Sequence, residues 1–178
     1  LYLVIKAVFK IKFHFWSIQP VFHIYDIQHW INPYKLVDPE LPPMNKYVNI
    51  IDIKTKSVED LSEKEITNFC EFLKKYYLRT KKTEYLPEIK HVMEYLKASN
   101  HQSFVSIYTE PKLVINKENI VTDKDILSVI SARPLHVSIK GQKTFPTYYV
   151  DNLCVKPAMR KKGIAPKIIQ TLYYDIRR

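Results

Sequence analysis

Apolar residues recur at Ile66, Phe69, Cys70, Leu73 and Tyr76, the i, i+3, i+4, i+7 spacing that turns one helical face into a core. Directly upstream, Ser62-Glu63-Lys64-Glu65 has the capping-box order. In that box the serine hydroxyl and the glutamate carboxylate each satisfy an orphan amide at the other residue, so a helix is predicted from Ser62 onward. A second helix is expected near Pro87, whose fixed φ suits a first helical position, with Ile89, Val92, Met93 and Leu96 facing inward. Residues 104–108 alternate as a strand. Residues 126–140 and 147–155 read as two long strands joined through Gly141-Gln142, a hairpin turn. A final helix over 165–176 turns Ile168, Ile169 and Leu172 inward and sets Arg177-Arg178 at its negative end.

The N-terminal part patterns differently. Residues 1–15 are rich in β-branched and aromatic side chains and read as extended. Residues 17–49 hold Pro20, Pro33, Pro39, Pro42 and Pro43, which predicts a wrapped arm or long loop without a regular element. A short strand is expected over 49–54. The chain thus divides into an N-terminal strand and arm, 1–48, and a folded domain, 49–178. Arm, helix pair, antiparallel strands and helix make an α+β chain, an α/β sandwich whose mostly antiparallel mixed sheet is flanked by helices.

Composition narrows the class. With 178 residues, 46% hydrophobic and 26% charged, the chain lies in the ordinary globular range, which excludes disordered, collagen-like and coiled-coil classes. The 28 basic against 18 acidic residues give +10, favouring an anionic partner: nucleic acid, a membrane surface or a phosphate-bearing ligand. Cys70 and Cys154 form no CxxC pair, so neither a disulfide framework nor a structural zinc site is expected. His14, His23, His29, His91, His101 and His136 lack metal-ligand spacing. The apolar run over 1–9 is broken by Lys6 and falls short of the ~18 residues of a membrane span. Lys10, Lys12 and His14 follow it in place of a small-residue cleavage site, so no signal peptide is expected. The expectation is a cytoplasmic monomer with at most transient membrane contact. Only two glycines occur and the first residue is Leu1, not Met, so a fragment is expected.

One of those glycines lies in the stretch richest in chemistry. Val150-Asp151-Asn152-Leu153-Cys154-Val155 reads as a strand, Lys156 to Lys162 as a short basic loop, and Gly163-Ile164-Ala165-Pro166 as a helix start. Successive amides at a helix N-terminus bind phosphate oxygens with the help of the helix dipole. Gly163 permits close backbone approach, while Arg160, Lys161 and Lys162 add positive charge. This outlines a pyrophosphate cradle, though without the GxxxxGK[ST] order of a P-loop. A solvated basic turn has the same spacing, and these residues alone do not choose.

The RxxGxA order of Arg160 to Ala165 resembles the acyl-CoA signature of the GCN5-related N-acetyltransferase superfamily. Asn152-Leu153-Cys154-Val155 followed by Arg160, Ala165 and Pro166 is similar to the corresponding stretch of eukaryotic N-myristoyltransferases. Two more segments agree in order: Phe15-Trp16-Ser17-Ile18-Gln19-Pro20-Val21 resembles that family's FW-x-x-QPV arm, and Ile130-Ser131-Ala132-Arg133-Pro134 its ISA-x-P strand.

That resemblance implies an acyltransferase of GNAT-like fold, represented by the N-terminal half of a two-half enzyme. It would transfer a myristoyl group from myristoyl-CoA, a co-substrate rather than a resident cofactor, to the N-terminal glycine of a peptide or protein. His14, Phe15 and Trp16 would embrace the CoA, although Trp16 also reads as an ordinary packed aromatic. Backbone amides of Asn152 and Leu153 would form an oxyanion hole, with Cys154 and Val155 lining the pantetheine or acyl channel. Arg160, Lys161, Lys162, Gly163, Ile164 and Ala165 would hold the phosphates. Transfer is direct, and Cys154, with no base nearby in sequence, reads as a packed thiol. The family usually has Asn and Phe where Asp151 and Asn152 stand, and an acidic loop where Leu78-Arg79-Thr80-Lys81-Lys82 is basic. Its catalytic base is the C-terminal carboxylate of its second half. Three alternatives stand beside this reading: an acetyl-CoA-dependent N-acetyltransferase, an inactive CoA-binding remnant, and a basic nucleic-acid-binding module. The last has no recognisable helix-turn-helix, RNP or zinc-finger pattern to carry specific nucleic-acid binding.

Overall fold

The structure, a computed structural model, describes residues 1–19, 23, 27–31, 40–80, 82–115, 120–141 and 143–178. Pro20, Val21, Pro33, Pro39, Lys81 and Gln142, all invoked above, lie outside the described residues. The chain forms two units, Leu1–Glu40 and Leu41–Arg178.

In the first unit the expected extended segment is helical: α1 spans Tyr2–Lys12, α2 His14–Ser17 and α3 Ile27–Ile31. The physical reason is backbone satisfaction. β-propensity expresses packing against neighbouring strands, and without such neighbours a strand leaves its amides and carbonyls unpaired. A helix pairs them internally, as Ile5 N to Leu1 O at 3.0 Å and Phe13 N to Phe9 O at 2.8 Å show. Lys10 and Lys12 lie in the last turn of α1, where the helix dipole favours cations. Helix α3 likewise places a regular element where the prolines suggested none.

In the second unit β1 (Ile53–Ser57), β2 (Phe104–Ile115), β3 (Ile120–Val137) and β4 (Phe145–Val155) form one sheet in the order β1-β2-β3-β4. Among the described residues every pairing is antiparallel. β1 begins later than the 49–54 expected, because Asn49 forms a turn in which its side chain accepts from Ile51 N and Asp52 N. Helices α4 (Glu63–Tyr76) and α5 (Ile89–Lys97) cover one face; α6 (Ile164–Arg177) covers the other. Pro87 precedes the α5 N-cap, Glu88, rather than opening the helix.

Each face has its own core. Phe69, Cys70, Phe72 and Leu73 of α4 and Val92 and Leu96 of α5 pack on Val105, Val129 and Cys154. Opposite, Ile164, Ile168 and Leu172 of α6 pack on Ile53, Tyr108, Leu127, Ile130 and Ala132. The helix-period faces expected for α4 and α6 are thus the buried ones, with Ile169 only partly covered.

The capping box forms as its sequence requires. Ser62 Oγ accepts from Glu65 N at 3.3 Å, and Ser62 N donates to Glu65 Oε2 at 2.9 Å. Lys56 Nζ reaches the same carboxylate at 2.7 Å and, with the Ser62 amide, holds Glu65 down at about 2 from its usual 4.5. A carboxyl lowered by folding adds stability that is fully present above its unfolded value and is lost as pH falls through the folded one. Stability should therefore fall from about 4.5 toward about 2, and Glu65→Gln should flatten that loss in urea midpoints measured against pH. Ser62→Ala is expected to cost about 1 kcal/mol at neutral pH.

Candidate functional site

Strand β4 does not run straight. Ser131 pairs with Asp151 and Val129 with Cys154, so Asn152 and Leu153 together oppose the single residue Ile130. This is a β-bulge, two residues against one, which bends the strand and takes two backbone units out of the ladder. Asn152 adopts φ 55°, a left-handed conformation that asparagine tolerates better than most residues. Its buried side chain anchors the bend: Nδ2 donates to Ser131 Oγ at 2.9 Å, and Ser131 Oγ donates to the Asp151 carbonyl at 3.3 Å.

Past the bulge, β4 ends at Val155 and a short turn, Pro157–Met159, leads to α6. Lys156 is tied back, its amide to Leu127 O at 2.9 Å and its ammonium to Asp125 at 2.6 Å. Lys161 and Gly163 have φ of 62° and 75°, which fold the basic loop tightly over the α6 start. Gly163 is the N-cap, and no side chain caps the helix. The first-turn amides of α6 thus lack a side-chain acceptor, the arrangement that receives an anion.

These elements enclose one side of a cleft of about 590 Å³, within the range of small-ligand pockets. Leu153, Cys154, Val155, Arg160, Lys161, Gly163, Ile164 and Ala165 line it, opposite Tyr76, Tyr77 and Leu78 at the C-terminal end of α4. Eight residues singled out from the sequence therefore share one cavity. Asn152 sits buried at the bulge, and the exposed Lys162 turns its ammonium toward Met159. Arg160 is partly engaged, its Nε donating to Val155 O at 3.2 Å. His14, Phe15 and Trp16 form α2 of the first unit, with Phe15 buried against the half-exposed Trp16. In the basic stretch after α4, Arg79 pairs with Glu84 at 2.7 Å.

Cys154 is 4% exposed, and burial pushes its thiol up to about 11. A neutral thiol is a poor nucleophile, so Cys154 is a wall of the cleft.

Sequence reasoning missed the group beside the bulge. Tyr77 Oη donates to Asp151 Oδ1 and Tyr95 Oη to Oδ2, each at 3.1 Å. Asn152 N donates to Asp151 Oδ1 at 2.7 Å. The Asn152 amide, expected as an oxyanion donor, is thus held by its own neighbour's carboxylate, which has to turn away before an acyl oxygen can take it. Arg133 Nε donates to Tyr95 Oη at 2.7 Å and stacks on the Tyr95 and Tyr149 rings. Burial and the Asp151 carboxylate push the Tyr77 hydroxyl up to about 12, so it remains a donor at neutral pH. No local pattern signals this group, because its members come from the residue after α4, from α5, β3 and β4. Among the described residues no group of three His, Cys, Asp or Glu side chains could hold a metal, and no helix is long and apolar enough to cross a membrane.

The chain is similar to known proteins. Residues 43–177 match the family model for the N-terminal domain of myristoyl-CoA:protein N-myristoyltransferase. Among solved structures, Saccharomyces cerevisiae N-myristoyltransferase with bound myristoyl-CoA matches over 92% of this chain and 37% of its own, at 18% identity and TM-score 0.58. A second structure of the yeast enzyme, with bound myristoyl-CoA and inhibitors, matches over 99% and 40%, at 18% identity and TM-score 0.60. The chain therefore spans about two fifths of the yeast enzyme's length. No curated protein sequence matches the chain significantly.

Proposed function

The chain belongs to the N-myristoyltransferase family, and from that premise we propose that its β4–α6 cleft binds a long-chain acyl-CoA and presents the thioester to an N-terminal glycine amine. The observation that carries the reading is the meeting, in one cleft, of a bulged strand and an uncapped helix start. The amides of Ile164 and Ala165, with the positive loop Arg160-Lys161-Lys162, suit the CoA phosphates. Leu153, Cys154 and Val155 offer a mostly apolar wall to the pantetheine arm. At the bulge, the amides of Asn152 and Leu153 are the donors for the oxygen of the tetrahedral intermediate. A fixed donor there stabilises the developing charge, worth about 3 kcal/mol in a well-studied hydrolase. The amine attacks directly, since the buried thiol of Cys154 gives no covalent route.

Calorimetric titration of the chain with non-hydrolysable myristoyl-CoA, acetyl-CoA and CoA analogues tests this. The myristoyl analogue is expected to bind tighter than the acetyl one by about tenfold or more, that is about 1.4 kcal/mol. Equal affinities would favour an acetyl-CoA-dependent enzyme, and no binding would leave the fold without its proposed ligand.

A further inference from the structure

We propose that α1 is a membrane-surface helix, seated in the interface of an anionic bilayer through the face that carries Leu3, Val4, Val8 and Ile11. At about 3.6 residues per turn these four side chains share one side of the helix. They are 75%, 63%, 54% and 83% exposed, and none of the 11 residues of α1 is buried. The helix packs by its opposite side, where the Phe9 ring centroid lies 5.2 Å from that of Phe13 and 4.9 Å from that of His23. Its apolar stripe is therefore turned outward, the reverse of α4 and α6, whose apolar faces are buried. Single exposed apolar residues are ordinary, but a contiguous stripe of them marks a docking face.

Charge and length select the occupant. Viewed down the helix axis, Lys10 and Lys12 flank the stripe on its two sides, and Lys6 lies one turn before Lys10. None of the three is in an ion pair among the described residues, and Lys6 and Lys12 rest over the Tyr2 and Phe13 rings. The first 25 residues of the chain contain no Asp or Glu. An RNA would meet the lysines and leave the stripe in water. A bilayer interface takes both, with acyl chains under the stripe and anionic headgroups at ammonium groups that the lysine stems lift clear. At a rise of about 1.5 Å per residue α1 is ~16 Å long, against ~30 Å of hydrocarbon core, so it lies along the surface rather than across it. The docking is independent of the acyl-CoA reading. Where that reading also holds, it keeps the chain at the phase into which long-chain acyl products partition.

The test uses the 178-residue chain and vesicles of phosphatidylcholine, with or without phosphatidylserine, and reads partition by sedimentation. The chain is expected to bind the anionic vesicles about 100-fold more tightly than the neutral ones, since each of three lysines at an anionic surface contributes about fivefold. Val8→Gln with Ile11→Gln keeps the charge and the helix, because glutamine is a good helix former. That variant is expected to lose about tenfold or more on anionic vesicles, with its circular dichroism unchanged. Lys6→Gln, Lys10→Gln and Lys12→Gln together should bring anionic binding down toward the neutral level and leave neutral binding as it was. Undiminished binding by the Val8→Gln, Ile11→Gln variant would place the attraction in the basic surface at large and overturn the proposal. So would equal binding of the two vesicle types, or none by the unmutated chain, results that do not depend on any variant folding. Binding of single-stranded RNA that the lysine variant loses, without vesicle binding, would assign α1 to nucleic acid and overturn it as well.

Discussion

Phe69→Ala is expected to lower the unfolding free energy by about 3–5 kcal/mol. The ring is 0% exposed and belongs to the cluster that joins α4 and α5 to β2, β3 and β4. Truncation removes the transfer free energy of the ring and leaves a void, because Leu73, Val105, Val129 and Cys154 belong to separate elements and can collapse only in part. Domains of this size are stable by about 5–15 kcal/mol, so the variant should be close to half of its reserve. Urea unfolding followed by circular dichroism is the measurement. The midpoint should drop with the slope unchanged, the mark of a change in stability rather than in the compactness of the end states. Ile51→Ala, at a position 79% exposed, is the control and should stay within about 0.5 kcal/mol. A Phe69→Ala loss as small as that of the control would mean that α4 does not pack as described.

Asn152→Ala is expected to cost about 1–2 kcal/mol and to weaken acyl-CoA binding as well. Two terms add: up to about 1 kcal/mol because alanine lacks the short polar side chain that lets asparagine tolerate the left-handed region, and about 1 kcal/mol for the lost hydrogen bond to Ser131. The chain can relieve the first term only by flattening the bulge, which re-aims the amides assigned to the thioester. Asn152→Gly separates the two, since glycine adopts φ 55° freely and loses only the hydrogen bond. Glycine should therefore keep most of the affinity for the myristoyl analogue, and alanine should not. Equal affinities in the two variants would detach the bulge from binding.

Much of the fold follows from local pattern. The apolar spacing of Ile66, Phe69, Cys70 and Leu73 marks the buried face of α4, and Ser62-x-x-Glu65 marks its first turn. Gly163 before Ile168, Ile169 and Leu172 marks the start and inner face of α6, where the structure buries Ile168 and Leu172 and adds Ile164. Three motifs in order were enough to indicate the family, which the family match then established. Residues 1–15 mislead because β-branched composition reports a preference for packing on strands, and no strand pairs with them among the described residues.

The site divides the same way. By itself the sequence determined α4, α5 and α6, the basic loop and the glycine at the α6 start, because hydrogen bonding and burial there are settled within one or two turns of chain. Only the tertiary structure decided that β4 carries a bulge, since a bulge is a mismatch of register between two strands and exists in neither alone. Only it brought Tyr77 and Tyr95, 74 and 56 residues away from Asp151, onto one carboxylate. Such contacts require α4, α5 and the sheet to pack first, because their geometry depends on a core whose members are far apart in the chain.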